Sequence, residues 1–325
     1  MRLLEVKDLK TYFTTSKGKA KAVDGVSFSL DYGQCLGLVG ESGCGKTTTA
    51  LSICHLLPKE GKVESGQILM EGIDYGTLSE EEIMKHRWED VSIIFQGAMN
   101  AFNPVKKVGW QIAEACILHQ GMSKEEAWKR AGDLFEMVGI ARERVSQYPH
   151  EFSGGMKQRA MIAMALACNP KLIIGDEPTT ALDVMIQAQI LELLEKLRKE
   201  LNMGMILITH DLSILSETCD KIAVMYAGKI AEMGTVDDIF NHPMHPYTKK
   251  LLACFPNISS GSRVIPEGIP GYPPSLIDPP EGCRFCPRCS EASGICSQKE
   301  PEYIQAGSEH FVSCHLCGEG GEYHG

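Results

Sequence analysis

The stretch GESGCGKT, residues 40–47, constrains this chain more than any other. It fits the pattern G-x-x-x-x-G-K-[ST]. It stands between the apolar run CLGLVG and an apolar-periodic segment, TTTALSICHLL. That strand–loop–helix order is the setting in which such a loop binds phosphate. Gly40, Gly43 and Gly45 let the backbone turn tightly and aim its N–H groups at phosphate oxygens. The helix starting near Lys46 adds the positive end of its dipole. On this reading Lys46 contacts the β- and γ-phosphates of a nucleotide and Thr47 ligates Mg²⁺. Ser42, Cys44 and Thr48 complete the cradle.

KLIIGDEP, residues 171–178, is an apolar strand ending in two carboxylates. Paired with the loop above, it suits a strand on which Asp176 holds Mg²⁺ through its water shell and Glu177 polarises the attacking water. These elements fit many nucleotide hydrolases. A GTPase would carry an N-K-x-D base-reading motif, and the sequence has none. EFSGGMKQR, residues 151–159, narrows the choice. Ser153, Gly154 and Gly155 precede a helix, which makes a second anion-binding helix N-terminus in one chain. Lys157 and Arg159 add positive charge in its first turns.

Apolar strand-like runs alternate with helical periodicity along the first two thirds of the chain. VKDLKTYF, VDGVSFSL, CLGLVG, GQILMEGIDY and VSIIFQ read as strands. Residues 97–170 are helical in pattern, and Ser123 followed by Glu126 is a capping box. A strand, a helix over DVMIQAQILELLEKLRKEL and further strands follow. The expected class is α/β, a phosphate-loop NTPase core with a largely parallel sheet, a helical subdomain and a small cysteine-rich C-terminal extension. The expected boundaries are 1–96 and 171–255 for the two parts of the core, 97–170 for the helical subdomain, and 256–325 for a proline-rich strap with the extension.

A net charge of −10 argues against a broad nucleic-acid-binding face, so no nucleic-acid partner is expected. MRLLEVKDLK lacks the apolar centre of a secretory signal, and no run of about eighteen apolar residues suggests a membrane span. Any tie to a membrane is expected to come through a partner. The cytosol this implies bears on the 13 cysteines. Seven are scattered from Cys35 to Cys254 and read as small buried hydrophobes; six crowd the last 43 residues. In a reducing compartment such a cluster more often holds a metal than forms disulfides. The C-x₂-C-x₂-C spacing of Cys283, Cys286 and Cys289 leaves zinc and an iron–sulfur cluster both open.

With these motifs in this order, residues 1–255 resemble the ATP-binding cassette family. FSGGM is similar to that family's signature motif, usually written LSGGQ, with Phe152 for Leu and Met156 for Gln. The resemblance implies that Gln96 senses the γ-phosphate and Mg²⁺, that Asp183 of TALD crosses to a second subunit, and that His210 bonds the γ-phosphate and Glu177. It implies that Phe13 stacks on adenine, with Tyr12 as the fallback. It also implies that the loop of one subunit and the Ser153–Gly155 segment of another grip the same ATP.

FQGAMNAFNPV, HPMHPYTKKLLACFP and GYPPSLIDPPEGCRFCPRC extend the resemblance to the ATPase subunits of dipeptide, oligopeptide and nickel importers. Such a subunit is expected at the cytoplasmic face of the membrane, with a second cassette subunit, similar or identical, two permeases and an extracellular solute-binding protein. Peptide is the leading solute, with oligosaccharide or nickel as alternatives. A soluble cassette ATPase would normally show two cassettes or a coiled-coil insert, and neither is visible. The resemblance also implies a [4Fe–4S] cluster on Cys283, Cys289, Cys296 and Cys314, with zinc as the alternative metal. Cys286 and Cys317 fall outside that pattern.

Overall fold

Continuous apolar runs become buried strands and long alternating runs become half-covered ones in the computed structural model, which describes residues 1–97, 101–180, 182–254 and 268–318. Two long strands, β1 (Arg2–Thr15) and β2 (Gly18–Asp31), open the chain. β3 (Cys35–Val39) leads through the glycine loop into α1 (Lys46–Ile53). β4 (Gly61–Met70), β5 (Ile73–Asp74), α2 (Glu80–His86) and β6 (Val91–Ile94) follow. Then come α3 (Val108–Gln120), α4 (Lys124–Met137), α5 (Gly154–Ala165), β7 (Leu172–Asp176), α6 (Val184–Leu201) and β8 (Gly204–Ile208). After α7 (Leu212–Thr218) the chain forms β9 (Lys221–Tyr226), β10 (Lys229–Thr235), α8 (Val236–Asn241) and α9 (Pro246–Ala253). Two short strands, β11 (Ile304–Gln305) and β12 (Phe311–Val312), close the described chain.

The chain divides into two compact units. The first comprises Met1–Glu5, Ser29–Cys35 and Leu69–Ile208. In it β6, β7 and β8 run parallel, with Val91 opposite Leu172 and Ile174 opposite Ile206. Every residue of β7 and β8 is buried, as expected of strands covered on both faces. Helices α3, α4 and α5 pack on one another, and Ile112, Cys116, Ala131, Phe135 and Ala160 on them are buried. The capping box expected at Ser123 and Glu126 is present at the start of α4. Gly109 is required where α3 meets the chain at Val145, because a Cβ there would lie 2.5 Å from the Val145 carbonyl oxygen. Among the described residues no helix is long and apolar enough to cross a membrane.

The second unit comprises Val6–Phe28, Leu36–Ile68 and Thr209–Gly325. Here β3 and β9 are parallel, while β10 turns back antiparallel to β9 with a bulge between Ile230 and Glu232. β12 pairs antiparallel with β10, Glu232 opposite Val312, and β11 pairs with β12. The cysteine-rich extension therefore adds strands to a sheet edge, which covers backbone groups that an exposed edge would leave unpaired. The sequence suggested a proline-rich strap and a cysteine-rich extension here but no strands, because strands of two residues each are too short to show alternation.

Glu232 anchors this junction. It is fully buried, accepts the backbone N–H groups of Met244 (2.7 Å) and His245 (3.0 Å), and faces His310 Nε2 at 2.7 Å. The ring of Phe285 packs against Tyr226 (5.2 Å between centroids) and Tyr247 (5.3 Å), so the extension shares an aromatic core with β9 and α9.

Candidate active site

In the second unit the glycine loop is shaped by positive φ at three glycines and by close backbone contacts at two of them, Gly40 and Gly45. Gly40, Gly43 and Gly45 have φ of 151°, 76° and 110°, a region that side-chain-bearing residues rarely adopt. A Cβ on Gly40 would lie 2.1 Å from the Met225 carbonyl oxygen, and one on Gly45 would lie 2.3 Å from that of Ala22. Gly45 caps α1 with no side-chain hydrogen bond, at a helix N-terminus of the kind that suits an anion.

Lys46 is buried, and its ammonium donates to the carbonyls of Gly40 (2.7 Å) and Glu41 (3.2 Å) and to Cys44 Sγ (3.6 Å). Burial pushes the Cys44 thiol up, against the opposing pull of Lys46. Ser42 and Thr47 are exposed, and Thr48 is half-buried with its carbonyl accepting from Ser52 Oγ at 2.7 Å.

Of the two aromatic candidates, Phe13 is half-buried and a Cβ on Gly61 would meet the edge of its ring at 2.8 Å. Tyr12 is committed elsewhere, its hydroxyl donating to Asp24 Oδ1 at 2.6 Å. Asp24 also faces Arg284, which holds it by an ion pair, and Lys229. Burial alone would raise the Asp24 carboxyl, but the Tyr12 hydroxyl and the two cations outweigh it and hold it low. His210 lies two residues beyond β8 and is exposed, and Asp211 beside it caps α7 through Ser213 N at 2.9 Å.

The first unit holds the carboxylates. β7 ends at Asp176, which is buried. Glu177 follows with φ of 48°, a left-handed conformation that costs a non-glycine residue about 1 kcal/mol or more and is found where function over-determines the backbone. Its N–H donates to the Ile208 carbonyl at 2.9 Å. Its side chain accepts from Gln96 Nε2 at 2.6 Å and from Thr180 Oγ1 at 3.0 Å. The structure thus brings Gln96 and Glu177 together. Thr180, the first residue of TALD, to which the motif reading gave no role, is the second donor to the same carboxylate oxygen.

Ser153 is the N-cap of α5, its hydroxyl accepting from Met156 N at 3.3 Å, with Gly154 and Gly155 in the first turn. Asp183 is the N-cap of α6, its Oδ1 accepting from Ile186 N at 3.0 Å. A capping aspartate three residues ahead of its donor is a readable signal that the motif reading passed over.

The thiolate donor set of the extension is less well assembled. Cys296 is buried; Cys283, Cys289 and Cys314 are half-buried. Burial pushes the Cys283 thiol up to about 12, and the nearby Cys314 and Cys296 add to it. Cys314 is raised first by its hydrogen bond with Cys317, a residue outside the expected ligand set, and then by burial. Cys296 Sγ is 3.3 Å from Ser293 Oγ. Among the described residues no group of three or more His, Cys, Asp or Glu is arranged to hold a metal ion. The expected [4Fe–4S] or zinc site thus finds its thiols mutually near but not set as ligands.

A family model described as "ABC transporter" matches residues 23–180, and one described as "Oligopeptide/dipeptide transporter, C-terminal region" matches residues 231–296. The oligopeptide transport ATP-binding protein OppD of Bacillus subtilis is 50% identical over 97% of this chain and 89% of its own length. The dipeptide transport ATP-binding protein DppD of the same organism is 47% identical over 97% of this chain and 95% of its own. Among solved structures, the ATP-binding cassette MJ0796 in a dimeric post-hydrolysis state bound to ADP and phosphate matches with a TM-score of 0.64 and 27% identity, over 72% of this chain and 98% of that one.

Fold and site define an ATP-hydrolysing subunit of the ATP-binding cassette class. Within that class the chain belongs to the family of oligopeptide and dipeptide transport ATP-binding proteins.

Proposed function

We propose that this subunit powers the import of dipeptides or oligopeptides, from the cytoplasmic face of a membrane complex. Its partners in this reading are a second cassette subunit, two permeases and an extracellular solute-binding protein. Near-full-length identity to peptide-transport subunits supports the solute class. The residue roles follow from the chemistry of each group.

Lys46 and the N–H groups of the Gly40–Thr47 loop bind the β- and γ-phosphates, with Phe13 against the adenine. Thr47 and Asp176 are hard oxygen donors that suit Mg²⁺, which when bound neutralises charge on those phosphates. Glu177 accepts a proton from water as the water oxygen bonds to the γ-phosphorus; the bond from that phosphorus to the bridging oxygen breaks, and ADP leaves with that oxygen. Gln96 holds the Glu177 carboxylate by its amide N–H, and His210 is assigned to the γ-phosphate. Ser153, Gly154 and Gly155 face the nucleotide of the partner cassette, and Asp183 lies toward the same partner.

The observation that carries the hydrolytic reading is Glu177 itself, a strained residue at the end of a buried strand with its carboxylate fixed by Gln96 and Thr180. Glu177→Gln is expected to keep ATP binding while turnover falls about 10²- to 10⁴-fold, read by nucleotide binding and phosphate release on the same preparation. Turnover like that of the parent protein would remove Glu177 from this role.

The finer reading of the extension is a [4Fe–4S] cluster on Cys283, Cys289, Cys296 and Cys314. Their spacing and the mutual influence of Cys283, Cys296 and Cys314 support it. Anaerobically purified protein is then brown, with iron and sulfide in equal amounts. Colourless protein with one zinc per chain would assign the site to zinc instead.

A further inference from the structure

The second residue of the glycine loop, Glu41, is a carboxylate placed where an anion is to bind, and the structure shows what offsets it. Arg288 grips Glu41 with both guanidinium ends, Nη1 to Oε2 at 2.6 Å and Nη2 to Oε1 at 2.9 Å. Arg288 belongs to the cysteine-rich extension, in the tight turn Cys286–Arg288. Its remaining donors are spent as well: Nε on the Pro270 carbonyl (2.8 Å), Nη2 on that of Ile269 (3.0 Å), and Nη1 on the Tyr226 hydroxyl (3.2 Å). All five N–H groups of a guanidinium thus have acceptors, a fit that lysine could not reproduce. The side chain is 4% exposed.

The main chain around the pair is fixed too. Glu41 N donates to the Tyr247 hydroxyl at 3.0 Å, the Glu41 carbonyl takes the Lys46 ammonium, and Lys250 Nζ donates to the Arg288 carbonyl at 3.0 Å. Pro273, Pro274 and Leu276 of the proline-rich strap line a small cavity together with Glu41, Ser42 and Cys44.

We propose that Arg288 is a positioning residue for ATP binding: it neutralises Glu41 and fixes its place in the loop, so that the extension sets the loop's affinity for polyphosphate. The proposal rests on the reading of Gly40–Thr47 as the phosphate-binding loop. An unpaired carboxylate in that loop would repel ATP, and more strongly than it repels ADP, because repulsion scales with the ligand's charge. The pair lies outside the hydrolytic carboxylates, so its loss should act first on nucleotide affinity.

The test measures ATP and ADP dissociation constants on the full chain. Arg288→Gln is expected to weaken ATP about tenfold and ADP less, with the penalty shrinking as salt is raised from about 50 mM to about 0.5 M. The double variant Glu41→Gln/Arg288→Gln should return to within about twofold of the parent, because it removes the stranded charge. Glu41→Gln alone, which leaves the Arg288 cation beside the loop without its carboxylate partner, should bind ATP several-fold more tightly. Equal losses in Arg288→Gln and the double variant would show that Arg288 only holds the extension folded and would overturn the proposal. An unchanged or weaker ATP affinity in Glu41→Gln would also overturn it. Lys46→Ala separates the underlying reading: if that variant still binds ATP as the parent does, the loop assignment itself is wrong.

Discussion

Helices α1 and α5 both begin among glycines and both are assigned to phosphate, yet they are built in opposite ways. α1 starts from Gly45 in a left-handed conformation with no side-chain cap. Gly40 and Gly45 are demanded by this chain's own backbone, with carbonyl oxygens of Met225 and Ala22 where side chains would have to go. α5 starts from Ser153, an ordinary N-cap whose hydroxyl satisfies Met156 N. Neither Gly154 nor Gly155 has a positive φ. The nearest atom to a Cβ on Gly155 would be a methyl of Ile186 at 3.0 Å, the end of a flexible side chain. The glycines of α1 are therefore explained from within the chain. Gly155 of α5 meets only the side chain of Ile186 in this way.

Substitution in the loop is the largest test of that contrast. Gly40→Ala forces a Cβ against the Met225 carbonyl and strains φ as well, so the loop must leave its observed path. ATP affinity should fall at least about 100-fold, read by nucleotide binding on the isolated chain, with a stability loss of about 2–4 kcal/mol. Gly40→Ala protein with parental ATP affinity would break the claim that this chain's packing dictates the loop. Ser153→Ala comes next. It removes one cap and should lower unfolding free energy by about 1 kcal/mol, with ATP binding by the isolated chain unchanged. An affinity loss there would place Ser153 on the chain's own nucleotide and sharpen the contrast the other way.

What could be read in advance follows the same division. The glycine loop, the buried β7 ending in Asp176 and the caps at Ser123 and Ser153 are encoded within a few neighbouring residues, so local patterns disclose them. Gln96 was placed by resemblance, and its bond to Glu177 spans 81 positions that no local period connects. The Glu41–Arg288 and Asp24–Arg284 pairs span 247 and 260 positions, and an ion pair leaves no trace in the pattern around either partner. The extension's strands are not legible in the sequence, because prolines and short strands carry no periodicity. The structure ties it to the sheet through β12 and to the glycine loop through Arg288. The cysteine spacing disclosed a cluster, but spacing alone cannot state which thiols face one another, and the Cys314 thiol hydrogen-bonds with that of Cys317.

The smallest effect on the isolated chain is also the most informative. Gly155→Ala places a methyl in the first turn of α5, where φ already suits alanine. Helix propensity favours alanine over glycine by about 1 kcal/mol, and the contact with Ile186 takes some of that back. The net change in unfolding free energy should stay within about 0.5 kcal/mol, measured by denaturant titration, and ATP affinity should not move. In the proposed assembly the same methyl would stand where the backbone of one cassette approaches the other's nucleotide. ATP turnover there should fall, and the stability data exclude misfolding as the cause. Unimpaired turnover in the assembled complex would mean that the glycine is as dispensable to the partner's nucleotide as it is to this chain's own fold.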